Sequence, residues 1–348
     1  VFIIKNILMA KTKQTEEGVE KDSVQKLLEQ LNKDFGKGTV ISGKNVSIVK
    51  SVPTGSITLD IATNIKGLPV GKLIEIFGPE SSGKSTLTMH FIAEQQKAGK
   101  KCMLVDAEHS FDAKYAANLG VNVDDIIYCQ PDCMEDAYNI METSIKAGIL
   151  GLIVFDSHTA SQPKKIVDGE VGDATMALQA RINSTALAKL HPLLDTYGVT
   201  LVGISQLRQN IGGYGDPNVT TGGLAWKFYS DMRMKVSKKI DKTGSSNRTI
   251  VEIIKNKCGV PFGKAEFSIM WGQGIDRQQE LIDLAVEYGF LKLAGAGWFT
   301  INEETKIQGD DKLKVFLLDN PEYAKELEDK VMNNIKVTHE SKSEETIS

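Results

Sequence analysis

GPESSGKST, residues 78–86, follows directly on the apolar run Leu73-Ile74-Glu75-Ile76-Phe77. Its spacing, G-x-x-x-x-G-K-[ST] between a strand and a helix, is that of a loop whose backbone N–H groups cradle phosphate oxygens. The helix N-terminus that follows adds positive potential. Gly78, Pro79, Glu80, Ser81, Ser82, Gly83 and Thr86 form the cradle. Within it, Lys84 is placed to neutralise the β- and γ-phosphates and the Ser85 hydroxyl to ligate Mg²⁺. The ligand this stretch fits is a nucleoside triphosphate.

Outward from the loop, apolar strands are expected at 73–77, 102–106, 126–128, 152–156 and 200–205, with helices at 85–97, 134–147 and 174–197 between them. Near-continuous apolar strands alternating with helices predict a parallel sheet covered on both faces. Residues 232–240, 249–257 and 265–271, separated by the turns KTGSSN and CGVPFG, read as antiparallel strands that extend it. The texture changes after Gly274. A helix at 278–288, a short strand in GWFTIN and helices at 312–318 and 321–335 describe a small α+β appendage. Ahead of the core, Val24, Leu27, Leu28, Leu31 and Phe35 lie at helical spacing, capped by Asp22 or Ser23. That stripe is buried either on its own core or on a neighbouring subunit.

The fold class is therefore α/β: a P-loop NTPase core with a mostly parallel central sheet extended by antiparallel strands, an N-terminal helix and a small C-terminal α+β domain. The expected divisions are a disordered leader at 1–16 and an N-terminal helix and linker at 17–50. The ATPase core follows at 51–274, the C-terminal domain at 275–336 and a disordered tail at 337–348.

The 348 residues are 41% apolar and 25% charged, with a net charge of −4. That is ordinary for a globular protein, and no global field draws the chain to nucleic acid, so any such surface must come from local placement of charge. No stretch approaches the roughly 20 apolar residues of a membrane span, and a cytoplasmic location is expected. Cys102, Cys129, Cys133 and Cys258 form no metal-ligand series.

Two further carboxylates stand at strand ends. Asp156 closes LIVFDS, where it supports a hydrated Mg²⁺ or caps a helix. Glu108, just beyond Asp106 in CMLVDAEH, is a general base for the attacking water or a solvated loop residue.

Taken with their order and spacing, GPESSGKST, DAEHSFDAKYA, VFDS, DGEVGD, ISQLR, TTGG, KFY and KNKCGVPF make the chain resemble the bacterial RecA recombinases, from about Leu27 to Ile335. The resemblance implies a RecA-like core and an ATP- and Mg²⁺-dependent DNA recombinase. Such a protein forms a helical homo-oligomer on single-stranded DNA and pairs it with double-stranded DNA in recombination, repair and the SOS response. A self-cleaving repressor and filament-loading proteins are implied as further partners. Glu108 is then the residue that activates water. Tyr115, which alone would read as packing, stacks on adenine with Asp112 near the purine's amino edge.

The resemblance also gives meaning to two loops. VDGEVGDATM, a surface turn by composition, becomes a loop lining the filament axis, with Gly169, Glu170 and Gly172 around Val171, the residue that wedges between base triplets. RQNIGGYGDPNVTTGG, 208–223, reads as a long flexible loop from its turn formers. In it Arg208, Thr220, Thr221 and the backbone of Gly212, Gly213, Gly222 and Gly223 suit phosphate contacts. Ile211 wedges and Tyr214 stacks on bases without sequence preference. Gln206, between the catalytic strand and this loop, senses the γ-phosphate or is a buried amide satisfied by backbone. Lys255 and Lys257 in KNK fall on one face of a strand, which alone reads as a solvated edge pair. The resemblance sends them onto the neighbour's γ-phosphate, with Lys227 and Phe228 at the same subunit interface. Lys292, Lys306, Lys312 and Lys314 gather duplex DNA or form an ordinary solvated face.

The chain departs from the common pattern in places. The second loop is one residue shorter, Gln209 and Asn210 stand for methionine and lysine, and Leu224 stands for asparagine. Fewer loop charges predict weaker, less salt-dependent DNA binding. Ser85 for threonine is chemically neutral, and the tail is short and only mildly acidic. These departures point to a divergent cellular or phage-encoded member. A ring helicase would need partner-loading domains and an arginine finger, and a small-molecule kinase would hydrolyse ATP without regard to DNA.

Overall fold

The structure, a computed structural model, describes residues 23–36, 39–43, 49–169, 176–209, 218–220, 223–240, 246–301 and 305–345, with backbone alone at 176, 208–209, 218–220, 240 and 335–345. The chain divides into two units, Val1–Val49 and Lys50–Ser348. In the first, residues 23–35 form helix α1. The chain then folds back on it: Asn32 Nδ2 donates to the Val40 carbonyl at 2.6 Å and the Val40 N–H returns a bond to Asn32 Oδ1 at 3.2 Å. The leader at 1–16 lies outside the described residues.

The second unit opens with β1 (Ser51–Val52), α2 (Ile57–Ala62) and β2 (Leu68–Pro69), the two strands pairing antiparallel. The alternating part follows as β3 (Leu73–Gly78), α3 (Lys84–Lys97), β4 (Lys101–Asp106), α4 (Ala113–Asn118), β5 (Ile126–Cys129), α5 (Met134–Lys146), β6 (Leu150–Asp156), α6 (Lys164–Val167), α7 (Met176–Tyr197) and β7 (Thr200–Gln209). Then come β8 (Asn218–Thr220), α8 (Ala225–Tyr229), β9 (Met232–Ile240), β10 (Ser246–Asn256), β11 (Lys264–Met270) and β12 (Gly274–Ile275). The chain closes with α9 (Arg277–Glu287), β13 (Lys292–Ala294), β14 (Trp298–Thr300), β15 (Lys306–Gln308), α10 (Asp310–Asp319) and α11 (Pro321–Glu345).

The main sheet runs β12-β11-β10-β9-β3-β7-β6-β4-β5. From β9 to β5 every pairing is parallel, and β10, β11 and β12 add antiparallel strands at the other side. This is the mixed, mostly parallel sheet expected from the sequence. Because side chains alternate along a strand, adjacent residues feed opposite cores. Ile74, Ile76, Leu152 and Val154 pack with Leu87, Phe91 and Ile92 of α3. Leu73, Ile153 and Phe155 pack with Met134 and Met141 of α5 and Leu187, Leu190 and Leu194 of α7.

Three differences from the sequence reading follow from local chemistry. The second loop is not irregular throughout: β7 continues to Gln209, and Leu207, Arg208 and Gln209 pair antiparallel with Thr220, Val219 and Asn218. Its turn formers are concentrated between these arms, which leaves the arms free to pair. The pairing register of β10 slips between Ile253 and Lys255, and the strand stops at Asn256. Lys257 therefore stands just past the strand, and simple alternation does not govern the KNK pair. Lastly, α11 runs through Glu345 into the stretch expected to be disordered. Glu340, Glu344 and Glu345 recur there beside Lys342, and both residue types lose little rotamer freedom in a helix.

The C-terminal elements have their own core of Leu281, Ile282, Leu284, Phe299, Leu313, Leu317, Leu327 and Val331, which Ile57 of α2 joins. A polar joint sits beside it. Glu280, buried on α9, accepts from Ser56 Oγ at 2.6 Å, from the Thr58 N–H at 3.2 Å and from the Ile57 N–H at 3.3 Å. A carboxylate from late in the chain thus satisfies the donors left over at the start of a helix near its beginning. Arg277 Nη1 adds a bond to the Gly55 carbonyl at 3.2 Å. Nothing local in either segment announced this pairing.

Nearby, Asp60 accepts from the Thr54 N–H at 2.8 Å, and burial pushes its carboxyl up to about 7, against the hydrogen bonds from Thr54 and the charge of Arg277. The folded chain therefore holds a proton that the unfolded chain releases near the ordinary carboxylate value. Stability from this group is present at low pH and is lost as pH rises through about 7. Asp60→Asn is expected to reduce the loss of melting temperature between pH 5 and pH 8, read by thermal denaturation of both proteins across that range.

Candidate functional site

The parallel register sets four chemical groups along the carboxyl edge of the sheet. Gly78 of β3 is opposite Gln206 of β7, and Asp106 of β4 is opposite Asp156 of β6. Ligands of open α/β sheets bind at this edge.

At its centre the chain turns from β3 into α3. Gly78 lies so close to β9 that an added Cβ would come within 2.1 Å of the Val236 carbonyl oxygen. Ser81 and Gly83 have positive φ, 54° and 95°. Gly83 caps α3 without a side-chain bond, so no side chain competes for the N–H groups of the first turn. Ser82 Oγ is buried without a hydrogen-bond partner among the described residues. Among the described residues Lys84 Nζ donates to neutral acceptors alone, the carbonyls of Gly78 at 3.1 Å and Pro79 at 2.7 Å. Burial lowers its pKa, opposed by the charges of Asp156, Glu108 and Glu80. An orphaned hydroxyl, an uncapped helix and a confined ammonium together fit a polyphosphate.

The acidic side is equally ordered. Ser85 Oγ donates to Asp156 Oδ2 at 2.7 Å, which brings two ligand-type oxygens side by side. Burial raises the Asp156 pKa to about 6; the Ser85 bond opposes this, and the charges of Glu108 and Asp106 add to it. Glu108 Oε1 accepts from Ser157 Oγ at 2.5 Å and from Gln206 Nε2 at 2.8 Å. Gln206 is thus neither free nor a backbone-satisfied amide; its side chain holds the carboxylate expected to be the base. Its own N–H donates to Thr159 Oγ1 at 3.3 Å.

Two contributors escaped the sequence reading. Asp106 Oδ1 accepts from the Glu108 N–H at 3.2 Å, while Oδ2 accepts from the N–H groups of Ser110 at 3.0 Å and Phe111 at 3.1 Å and from Tyr128 OH at 3.0 Å. It is the hub that shapes the DAEHSF loop, and its place at a strand end was the available signal. Ser157, the second donor to Glu108, carried no signal of its own.

Next to Ser85 on α3, Thr86 Oγ1 and Tyr115 OH are 3.0 Å apart. Ser85, Asp106, Phe111, Asp112 and Tyr115 line a hollow there. Asp112 caps α4, accepting from the Tyr115 N–H at 3.0 Å.

The lysines of KNK are elsewhere. Lys255 is paired in register with Arg233, which is level with Glu75, and the Lys257 N–H bonds to the Asp231 carbonyl next to Leu73. Both stand toward the edge of the sheet away from Gly78. The length of β3, about 16 Å at 3.3 Å per residue, separates Leu73 from the loop. Lys255 Nζ donates to the carbonyls of Lys227 at 2.9 Å and Phe228 at 3.0 Å, and Lys257 Nζ is 3.3 Å from Asp231 Oδ1. Burial, with Lys257 and Arg233 nearby, lowers the Lys255 pKa. Phe228 is 65% exposed beside them.

Of the loop residues expected to meet DNA, Gly169 is described just after α6, while Glu170, Val171 and Gly172 lie outside the described residues. So do Ile211, Gly212, Gly213, Tyr214, Thr221 and Gly222; Arg208 and Thr220 are placed by backbone on the β7–β8 arms. Gly223, with φ +87°, abuts α7, where an added Cβ would come within 2.6 Å of Ala180 Cβ. In the C-terminal domain Lys292, Lys306 and Lys312 are exposed, but Lys314 is tied to Asp276 Oδ2 at 2.8 Å and is not free for a partner.

Gly78→Ala is expected to force the phosphate loop away from β9, at a cost of about 1–3 kcal/mol. Chemical denaturation reads that loss, and titration with a fluorescent nucleotide reads weakened binding.

Residues 22–276 match the RecA N-terminal domain and residues 279–336 the RecA C-terminal domain. Protein RecA of Campylobacter jejuni subsp. jejuni serotype O:2 is 45% identical over 324 residues, covering 91% of this chain and 94% of the relative. Protein RecA of Campylobacter fetus subsp. fetus is 45% identical with the same coverage, 91% and 94%. Protein RecA of Cutibacterium acnes is 44% identical over 315 residues, 88% of this chain and 90% of the relative. With a phosphate loop, paired acids and a glutamate held by Gln206 on the same sheet edge, the chain belongs to the RecA family, the DNA-dependent ATPases of homologous recombination and DNA repair.

Proposed function

We propose that this RecA-family ATPase takes ATP and Mg²⁺ at the phosphate loop and assembles as a helical filament on single-stranded DNA. The filament pairs that strand with homologous double-stranded DNA. The observation that carries this reading is the displacement of Lys255 and Lys257 from the phosphate loop of their own subunit. Two lysines set back along β3 from Gly78, Lys255 level with Glu75 and Lys257 beside Leu73, serve catalysis in the pocket of an adjacent copy, so each pocket is completed by assembly.

Within a pocket, Lys84 and the N-terminus of α3 hold the phosphates, and the unpartnered Ser82 hydroxyl gains an acceptor. Tyr115 stacks on adenine, and Asp112 stays near the purine's amino edge. Ser85, directly, and Asp156, through water, would hold Mg²⁺, which would supply positive charge against the phosphates. Glu108 takes the proton of the attacking water. Ser157 and Gln206 fix one of its oxygens and leave the other without a hydrogen bond among the described residues. Gln206 also begins the β7–β8 arms of the second loop, so a change in its bond is felt where Arg208, Ile211, Tyr214, Thr220 and Thr221 meet the strand. Specificity comes from base pairing, and the protein needs only backbone and stacking contacts.

Regions outside the core join this assembly. On α1, Val24, Leu27 and Phe35 are exposed within their own unit and supply an apolar stripe for a neighbouring subunit. Lys292, Thr300 and Lys306 form one rung of the β13–β14–β15 sheet, and Trp298 follows on the same face. That face, with Lys312, gathers duplex DNA, and the domain limits 17–50, 51–274 and 275–336 follow these roles. No helix among the described residues is long and apolar enough to cross a membrane, and we place the activity in the cytoplasm. A self-cleaving repressor and filament-loading proteins complete the proposed partners.

The test is ATP hydrolysis with and without single-stranded DNA, followed by pairing of a labelled strand with homologous duplex. Full turnover by dilute, DNA-free protein would contradict the reading. Glu108→Ala is expected to keep nucleotide and DNA binding while turnover falls at least about 100-fold; normal hydrolysis would remove Glu108 from the base role. Lys255→Ala and Lys257→Ala are each expected to lose turnover alone. Each should regain part of it when mixed with Lys84→Ala protein, because the defects lie on opposite sides of a shared pocket.

A further inference from the structure

Behind Glu108 lies a buried aromatic and polar chain that the mechanism above does not use. Ser157 and Gln206 both donate to Glu108, and their chain neighbours His158 and Ser205 contact each other, His158 Nε2 lying 2.5 Å from Ser205 Oγ. Ser205 Oγ in turn donates to Glu75 Oε1 at 2.8 Å, and Glu75 Oε2 accepts from Arg233 Nε at 2.5 Å. Since the Ser205 proton goes to Glu75, the imidazole donates through Nε2. Burial keeps the ring neutral, its pKa pushed down to about 3. The ring face stacks on Trp226, with centroids 4.4 Å apart and planes within 9°.

Trp226 is 1% exposed. Its indole also presses on β7 at Gly203, where an added Cβ would fall 2.2 Å from the ring, and its Nε1 donates to Tyr138 OH at 3.2 Å. The indole is therefore fixed against both segments that carry the Glu108 donors. It belongs to α8, and the next two residues, Lys227 and Phe228, supply the carbonyls that hold Lys255 Nζ.

We propose that His158 and Trp226 are positioning residues that link the Glu108–Gln206 pair to α8, so that the nucleotide state of one pocket sets whether Lys255 is retained on its own subunit or released to the next. The inference rests on the reading of Lys255 as a donor to an adjacent pocket. Its physical basis is the absence of slack. Protein interiors are close-packed and respond to displacement by discrete repacking rather than smooth strain. When Gln206 or Ser157 shifts to engage the nucleotide, Ser205 and His158 shift with it, and the stacked indole carries the displacement to the turn of α8 that follows.

The test uses the full chain carrying Trp271→Phe and Trp298→Phe, which leaves Trp226 as the single tryptophan of the three. Saturation with Mg²⁺ and a nonhydrolysable ATP analogue is expected to change its emission. Gln206→Ala is expected to abolish that change while calorimetric titration still shows the analogue bound. In the chain with its native tryptophans, His158→Ala, and His158→Phe, which keeps a ring and most of the volume, are expected to leave the KM for ATP within about twofold. Each should lower the DNA-stimulated kcat about fivefold or more. The phenylalanine variant keeps the test valid if the alanine variant does not fold. Emission that ignores the bound analogue, or wild-type DNA-stimulated kcat in a folded His158 variant, overturns the link. If mixtures of Lys255→Ala and Lys84→Ala proteins fail to complement while the emission change persists, Lys255 is not the endpoint and that part of the proposal falls.

Discussion

The parallel register of four strands is the constraint on which this site depends. Gly78 faces Gln206, and Asp106 faces Asp156, because β3, β7, β6 and β4 run in the same direction in one continuous parallel register. A one-residue slip would turn each of these groups to the other face of the sheet. The register is held by the two apolar cores, since adjacent residues such as Leu152 and Ile153 are each fully buried on opposite faces. Packing at the centre of the sheet thus fixes chemistry at its edge, with little freedom left to the loops.

The same rigidity has an electrostatic side. Asp106, Glu108 and Asp156 gather at one edge, and two of the three carboxylates accept several hydrogen bonds from the protein: Asp106 from the N–H groups of its own loop, and Glu108, through one oxygen, from Ser157 and Gln206. Only Asp156 takes a single hydroxyl as its partner, that of Ser85. The acidic cluster is therefore differentiated by its donors rather than by residue type, with Asp106 bound into its loop, Glu108 oriented by two side chains and Asp156 held by one hydroxyl.

Much of this was legible beforehand. The phosphate loop declares itself because no other function requires glycine, lysine and hydroxyl at that spacing after a buried strand. Asp156 and Glu108 were legible because they end apolar runs. Other features were not, for definite reasons. Ser157 and Thr159 act through contacts between strands distant in sequence, and a serine has no pattern that betrays such a bond. The slip in β10 at Ile253 and Lys255 depends on how β9 receives it, so alternation alone misplaced Lys257. The arms of the second loop formed a hairpin because Leu207 and Val219 favour strands, a weak signal beside so many turn formers. Lys314 looked like surface charge until Asp276 was brought beside it.

The Glu280 joint has a bearing on how the polypeptide is made. The first turn of α2 receives a carboxylate that is synthesised more than two hundred positions later, as the separations of 222 to 224 residues across these bonds record. While the ribosome is still extending the core, the donors of Ser56, Ile57 and Thr58 have no acceptor from α9, and water must serve them. A nascent chain can lay down its sheet early, yet the seam between α2 and α9 closes only when the last quarter of the message has been read. A product terminated before α9 would carry a raw helix end, each buried donor left unmatched costing about 1–3 kcal/mol. Completion of synthesis is thereby written into the stability of a segment translated near the beginning.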